Sequence, residues 1–318
     1  MLLLACALWG MAFNWIKEGQ ALLGERLVAL TGDPKWSALA PAIFVTVRFF
    51  AAVVLWACLF PSSVRGWSGV TVKGGLAGGV LLSTGMLLQH YGLAYTSESL
   101  SAFLTSLTVL FTPMIAAVVL RQRIGAVLWA SVAFATVGVM LMTLFRAEGR
   151  FDRGALLGLL CAVVFSADIL VVEHFGRREN SLRFTLAQLI VAAMVFASFS
   201  LAGSLGRVLP VALLGEALWD ARLLMLLGLT LVFSTLVTFG LMFHYQPQTT
   251  ATRAALTYMT EPLFATAYAW LFAGRGIGAM ALAGGGLIIA GNVLAEAFGR
   301  RAEKRDAAVT PAATYSDK

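Results

Sequence analysis

Ten stretches of about twenty mostly apolar residues, each long enough to cross a bilayer, follow one another along this chain with polar breaks between them. They fall at about 1–19, 41–60, 74–95, 99–120, 125–145, 154–174, 184–204, 222–244, 250–273 and 277–298. A backbone in lipid has no water to bond, so segments of this length are expected to be helices. Charged residues make up 12% of the chain and hydrophobic ones 59%, against about 25% charged in soluble domains. No water-soluble core buries that much apolar surface. The expected fold class is an all-α membrane protein with ten transmembrane helices.

An internal echo organises those helices. Residues 97–126 and 250–279 are ungapped weak copies, 153 positions apart. Ser97, Ser99, Ala102, Leu110, Phe111, Ile124, Gly125 and Ala126 meet Thr250, Thr252, Ala255, Leu263, Phe264, Ile277, Gly278 and Ala279, and Gly138 meets Gly291. Such an echo in an apolar chain marks a duplicated bundle. Five helices per half is an odd number, so the halves are expected as inverted repeats, 1–145 and 146–298. The same register sets Thr108–Val109 against Glu261–Pro262. A midplane acid with a helix break is therefore expected in the second half alone.

The connections are too short for a soluble catalytic domain; the longest are 20–40 and 205–221. The segment 299–318 is charged, then small and polar, and is expected to be a disordered cytoplasmic tail. Net charge is +7, with basic residues scattered singly through loops and gathered at Arg300, Arg301, Lys304 and Arg305. That pattern suits lipid headgroups better than nucleic acid. The short loops are nearly balanced in Lys and Arg, so the tail decides the orientation and both termini are placed in the cytoplasm. Met1 opens directly onto LLLACALWG, without the basic region and cleavage site of a removable signal peptide.

Cys6, Cys58 and Cys161 lie in apolar runs without CxxC spacing, and His90, His174 and His244 fall on different helices. Neither a metal site nor a cofactor is expected. Without a GxxxxGK[ST] loop, ATP is not a direct energy source. Gly74/Gly78 and Gly75/Gly79 have small-xxx-small spacing, which fits close packing inside the bundle better than dimerisation. A monomer is compatible with this reading, and the oligomeric state stays open.

LWGMAF (Leu8–Phe13), VRFFAA (Val47–Ala52), the run from Tyr95 to Gly125 and the run from Thr249 to Gly278 together resemble the EamA family of the drug/metabolite transporter superfamily. The resemblance spans about residues 5–297, and its most specific part is the second-half run with Thr-Arg-Ala-Ala and Glu-Pro-Leu-Phe. It implies a ten-helix inverted-repeat fold. It also implies export of small metabolites or amphiphilic compounds across a bacterial inner membrane.

Ionisable residues deep in a bilayer cost about 2.5–3.5 kcal/mol on insertion scales and usually face a cavity. Glu261, Arg48 and Asp168 lie in the middle parts of their stretches. Glu261, just before the helix-breaking Pro262, either handles substrate or protons or pairs with Arg48 and the kinked backbone. Arg48 either anchors a substrate carboxylate or holds the fold in an ion pair. Asp168 either carries protons with Glu261 or bonds a neighbouring helix. Trp9, Phe13 and Asn14 are read as one side of the first helix. With Tyr91, Thr105 and Tyr258, the residues Trp9 and Asn14 complete the candidate substrate-binding set.

The favoured function is a secondary transporter, an exporter of small metabolites, amino acids or amphiphilic compounds, working by alternating access. Its partners are a small-molecule substrate and the bilayer, and proton coupling is an option. A lipid or lipid-precursor flippase of the same fold is the alternative. A membrane-embedded enzyme is disfavoured, because no constellation of His, Asp, Glu and Cys converges near a membrane surface.

Overall fold

The computed structural model describes residues 1–96, 98–143, 153–204, 211–273 and 278–309. Every element among them is helical. The chain opens with α1 (Leu2–Thr31), α2 (Lys35–Leu59) and α3 (Gly69–Tyr95). The expected long connection at 20–40 is mostly helix, because α1 continues to Thr31 and α2 starts at Lys35. Leu23 and Leu27, a turn apart, pack on Leu39, Ile43 and Phe44 of α2. Helix α1 ends where Gly32 takes a left-handed φ of 69° and its N–H bonds the Val28 carbonyl.

The fourth apolar stretch divides into α4 (Glu98–Ser106) and α5 (Thr108–Val118), followed by α6 (Ala126–Thr143). The second half runs through α7 (Arg153–Gly176), α8 (Ser181–Gly203) and the short α9 (Val211–Leu218). Next come α10 (Ala221–Leu229), wide π-helical turns over Thr230–Val237, and α11 (Thr238–Tyr245). The chain then forms α12 (Ala251–Tyr258), α13 (Glu261–Ala273) and α14 (Ala279–Val309).

Helix α14 carries the chain into the segment expected to be disordered, as far as Val309. The Ala, Glu, Lys and Arg of 301–307 are good helix formers, and extending an existing helix needs no new nucleus. The last nine positions, 310–318, lie outside the described residues.

Seven helical runs among the described residues are long and apolar enough to cross a membrane. Large apolar side chains such as Val54, Leu76, Phe134, Leu160, Met194 and Leu282 face outward, as lipid-facing positions do. Inside, small residues set the spacing. A Cβ on Gly75 would lie 2.5 Å from the Ala187 side chain, and one on Gly79 2.5 Å from Val191. The glycine stripe of α3 is thus filled by α8, within the bundle.

Helices α6 and α14 pack reciprocally. A Cβ on Gly138 would meet the Gly284 carbonyl at 2.6 Å and the Ile288 nitrogen at 2.9 Å. One on Gly291 would meet the Ser131 carbonyl at 2.7 Å and the Ala135 nitrogen at 3.2 Å. Each contact maps onto the other under the 153-residue shift, and numbers rise along one helix as they fall along its neighbour. The two helices are antiparallel and related by a local twofold.

The helix break also repeats, which corrects the expectation of a break in the second half alone. Leu107 N–H bonds the Leu104 carbonyl, while Leu110 and Phe111 bond the Leu107 carbonyl. Thr260 bonds Thr257, and Leu263 and Phe264 bond Thr260, in the same pattern 153 positions on. Hydroxyls reinforce both turns, Thr108 Oγ1 on the Thr105 carbonyl at 2.5 Å and Thr260 Oγ1 on the Thr257 carbonyl at 2.7 Å. Side-chain bonding of this kind competes with the helix ladder, so the break needs no proline at that place. Pro262 sits second in α13, where a missing N–H costs little.

Candidate functional site

The two breaks meet at a narrow cavity inside the bundle, of about 50 Å³. From α1 come Trp9, Phe13 and Ile16; from α3 come Leu82, Gln89, His90 and Leu93. The first-half break contributes Thr105, Ser106 and Thr108, and the second contributes Tyr258 and Glu261. Helix α7 adds Phe165, Asp168 and Ile169, and α11 adds Met242. The lining, apolar and aromatic with a few polar groups, is of the kind that small-molecule sites have, although the cavity is much smaller than their usual span of about 300–1,000 Å³.

Local structure fixes each polar group. Tyr258 donates its hydroxyl to Gln246 Oε1 at 2.7 Å, and Gln246 Nε2 donates to the Ile169 carbonyl at 2.9 Å. That chain ties the second break to α7 beside Asp168. Asp168 is 4% exposed, and its Oδ1 has no hydrogen-bond partner. His90 Nδ1 lies 2.8 Å from the Met86 carbonyl, so this nitrogen carries the proton in the neutral ring. Nε2 is left as an unpartnered buried acceptor. Ser166 Oγ reaches the Thr108 carbonyl at 3.2 Å, and Gly10 packs on the carbonyl of Glu261, the residue equivalent to Thr108.

Of the expected substrate and proton residues, the cavity brings together Trp9, Thr105, Asp168, Tyr258 and Glu261. Arg48 is elsewhere. It is 1% exposed, its guanidinium lies over the Phe49 ring at 5.4 Å, and none of its nitrogens has a hydrogen-bond partner. It forms no ion pair with Glu261. Asn14 is exposed and off the lining. Five positions at about 100° each turn it roughly 140° away from Trp9, whereas Phe13 and Ile16 stay on the Trp9 face. Tyr91 is one step around α3 from His90 and meets Phe199 at 5.7 Å instead.

His90, Gln89, Ser106, Thr108 and Phe165 also line the cavity, outside the expected set. A signal for His90 was present: Leu82, Gln89, His90 and Leu93 follow the i, i+7, i+8, i+11 spacing of one helix face. Among the described residues, no group of three or more His, Cys, Asp or Glu is placed to hold a metal ion.

One end of the bundle is held by charged and polar contacts. Glu179, between α7 and α8, accepts from Ser68 Oγ at 2.6 Å, and also from Thr71 Oγ1 and the Asn180 N–H. Burial raises its pKa, but the Ser68, Thr71 and Asn180 donors and then Arg183 outweigh it, leaving the carboxyl below its ordinary 4.5. Glu173 accepts from the Ala251 N–H at the start of α12, and Arg177 donates to the Pro247 and Thr249 carbonyls. At the opposite end of α1, Arg26 caps the carbonyls of Glu216, Ala217 and Trp219 and pairs with Asp220.

Comparison with known proteins agrees with this architecture. Residues 152–296 match the EamA-like transporter family. An uncharacterized transporter of Archaeoglobus fulgidus is 29% identical over 193 residues, covering 58% of this chain. The chain spans 59% of that relative's length. A protein of known crystal structure shares the fold at a TM-score of 0.65 and 16% identity, over 90% of this chain and 99% of its own. Apolar helices around a buried cavity of mixed lining, together with these matches, define an integral membrane protein similar to transporters. In its second half the chain is similar to the EamA-like transporter family.

Proposed function

We propose that this protein is a secondary carrier that exports small metabolites, amino acids or amphiphilic compounds by alternating access, and not an enzyme. The observation that carries this reading is the position of the cavity. It lies where the two broken turns meet, with the Asp168 and Glu261 carboxyls on its wall. Broken helices beside a buried site are how carriers place polar groups in a bilayer.

The proposed architecture has ten spans in two inverted repeats, 1–145 and 146–298. The seven apolar runs are joined in it by α1, α6 and the α12–α13 pair. The reciprocal contacts of Gly138 and Gly291 and the matching broken turns support it. Rocking of one half on the other would open the cavity to each side in turn. We place the protein in a bacterial inner membrane with both termini cytoplasmic. Proton coupling would run through Glu261 or Asp168.

The test is solute flux in proteoliposomes with and without a pH gradient. Saturable flux that a gradient accelerates is expected, and indifference to the gradient would sink the coupling.

A groove between the start of α1, α12 and α14 favours lipid flipping as the second reading. Its lining includes Leu2, Leu3, Leu256, Ile289 and Val293 beside Arg253 and Glu296. Scrambling of fluorescent lipid in the same vesicles separates the two.

A further inference from the structure

The direction of each hydrogen bond in the cavity restricts what it can hold. Thr105, Ser106 and Thr108 donate their hydroxyl protons to the carbonyls of Ser101, Ala102 and Thr105. Tyr258 spends its proton on Gln246, and one Gln89 N–H points to Thr105 Oγ1. The groups left for a ligand are mainly acceptors: His90 Nε2, Asp168 Oδ1, the Glu261 carboxyl and the hydroxyl lone pairs. The Trp9 indole and the second Gln89 N–H are the lining donors that remain.

The charges are equally one-sided. Among the described residues, two carboxyls line the cavity and no Lys or Arg does. Arg48, fully buried over Phe49, is not part of the wall, but its charge reaches His90. A ligand carboxylate would meet carboxyls and find almost no donors.

We propose that the cavity takes a protonated primary amine. Its ammonium would be held mainly on the Asp168 and Glu261 side, beside His90 Nε2, and its apolar body would lie against Trp9, Phe13 and Phe165. An ammonium brings three donors and no acceptor, the complement of this wall, and aromatic faces add attraction for a cation. A quaternary cation supplies the charge but no donors, so it meets only half of the requirement. A zwitterionic amino acid carries a carboxylate the wall repels, which narrows the substrate classes named above and sets amino acids aside. This substrate class rests on the carrier reading above.

Calorimetry on the full chain in detergent, at neutral pH, tests it with three probes sharing a phenyl group: 2-phenylethylamine, its N,N,N-trimethyl analogue and 3-phenylpropanoate. The primary amine is expected to bind about tenfold more tightly than the trimethyl analogue, as charge-assisted hydrogen bonds imply, and the carboxylate to give no heat. Asp168→Asn and Glu261→Gln should each weaken the amine about tenfold by the same reasoning, with Glu261→Asp restoring part of it. Binding of the carboxylate as tight as that of the amine, or no preference between the amine and its trimethyl analogue, overturns the proposal on the unaltered protein. Vesicles that exchange 3-phenylpropanoate but ignore the amine would overturn it and leave the carrier reading standing. Amine binding without any flux would support the site and count against the carrier.

Discussion

Leu107 and Thr260 lie 153 positions apart and hold the same broken turn: each N–H bonds a carbonyl three residues back, and each carbonyl accepts from residues three and four ahead. The two turns present Thr108 and Glu261 to one cavity. A shared backbone shape thus carries a hydroxyl in one half and a carboxyl in the other.

Removing the Thr260 hydroxyl tests that shape. Thr260→Val loses the bond to the Thr257 carbonyl and should lower stability by about 1 kcal/mol. If the break is a working part of the carrier, flux should fall by more than the fraction of folded protein lost. Thermal melting in detergent and vesicle flux, measured on one preparation, compare the two. Flux that merely tracks folded protein would make the turn a structural detail.

Gly291→Ala should be costly and Gly286→Ala should not. A methyl at 291 would sit 2.7 Å from the Ser131 carbonyl, while one at 286 has nothing within 4 Å. Forcing α6 and α14 apart should cost about 1–3 kcal/mol, whereas the open position gains helix propensity of up to about 1 kcal/mol. Gly138→Ala should match Gly291→Ala, because their contacts are reciprocal. Unequal melting of the 138 and 291 variants would argue against the local twofold.

Arg48→Met should leave the fold intact. The guanidinium is buried without a hydrogen-bond partner, and replacing a buried charge by an apolar side chain of similar shape is often neutral or stabilising by about 1–4 kcal/mol. A double-mutant cycle with Glu261→Gln should show no coupling beyond about 0.5 kcal/mol. A loss of about 3–5 kcal/mol for the single variant would reveal a buried pair instead.

Acid should loosen the end of the bundle held by Glu179. Its folded pKa lies below the ordinary 4.5, so its ionised form contributes stability above 4.5 that is lost as pH falls through the folded value. Melting curves of the unaltered protein should therefore drop more steeply below that pH than those of Glu179→Gln. Parallel curves would show that the Ser68 and Thr71 bonds contribute no linked stability.

The membrane class was legible from apolar runs, because hydropathy is local and lipid leaves the backbone only its own hydrogen bonds to satisfy. Among the described residues the apolar stretches are helical, and seven helical runs are long and apolar enough to cross a membrane. Glu261, Asp168, Trp9, Thr105 and Tyr258 were also legible as candidates, since buried polar groups among apolar neighbours are expensive enough to signal a cavity. The extension of α1 past residue 20 was missed, because an amphipathic stretch with Glu25 and Arg26 reads as a loop until α2 and α10 cover its leucines.

What the sequence determined by itself is residence in the membrane, the helical class and the 153-residue echo. Tertiary structure decided which polar residues share a wall. Arg48 and Asn14 carry the right chemistry and lie off the cavity lining, while His90 is part of it. The break at Leu107 belongs to the same category, since backbone-directed hydroxyls set it without a proline there. Composition fixes what a segment can afford to bury. Direction around a helix axis turns about 100° per residue, so the wall of a site emerges only when neighbouring helices are packed in place.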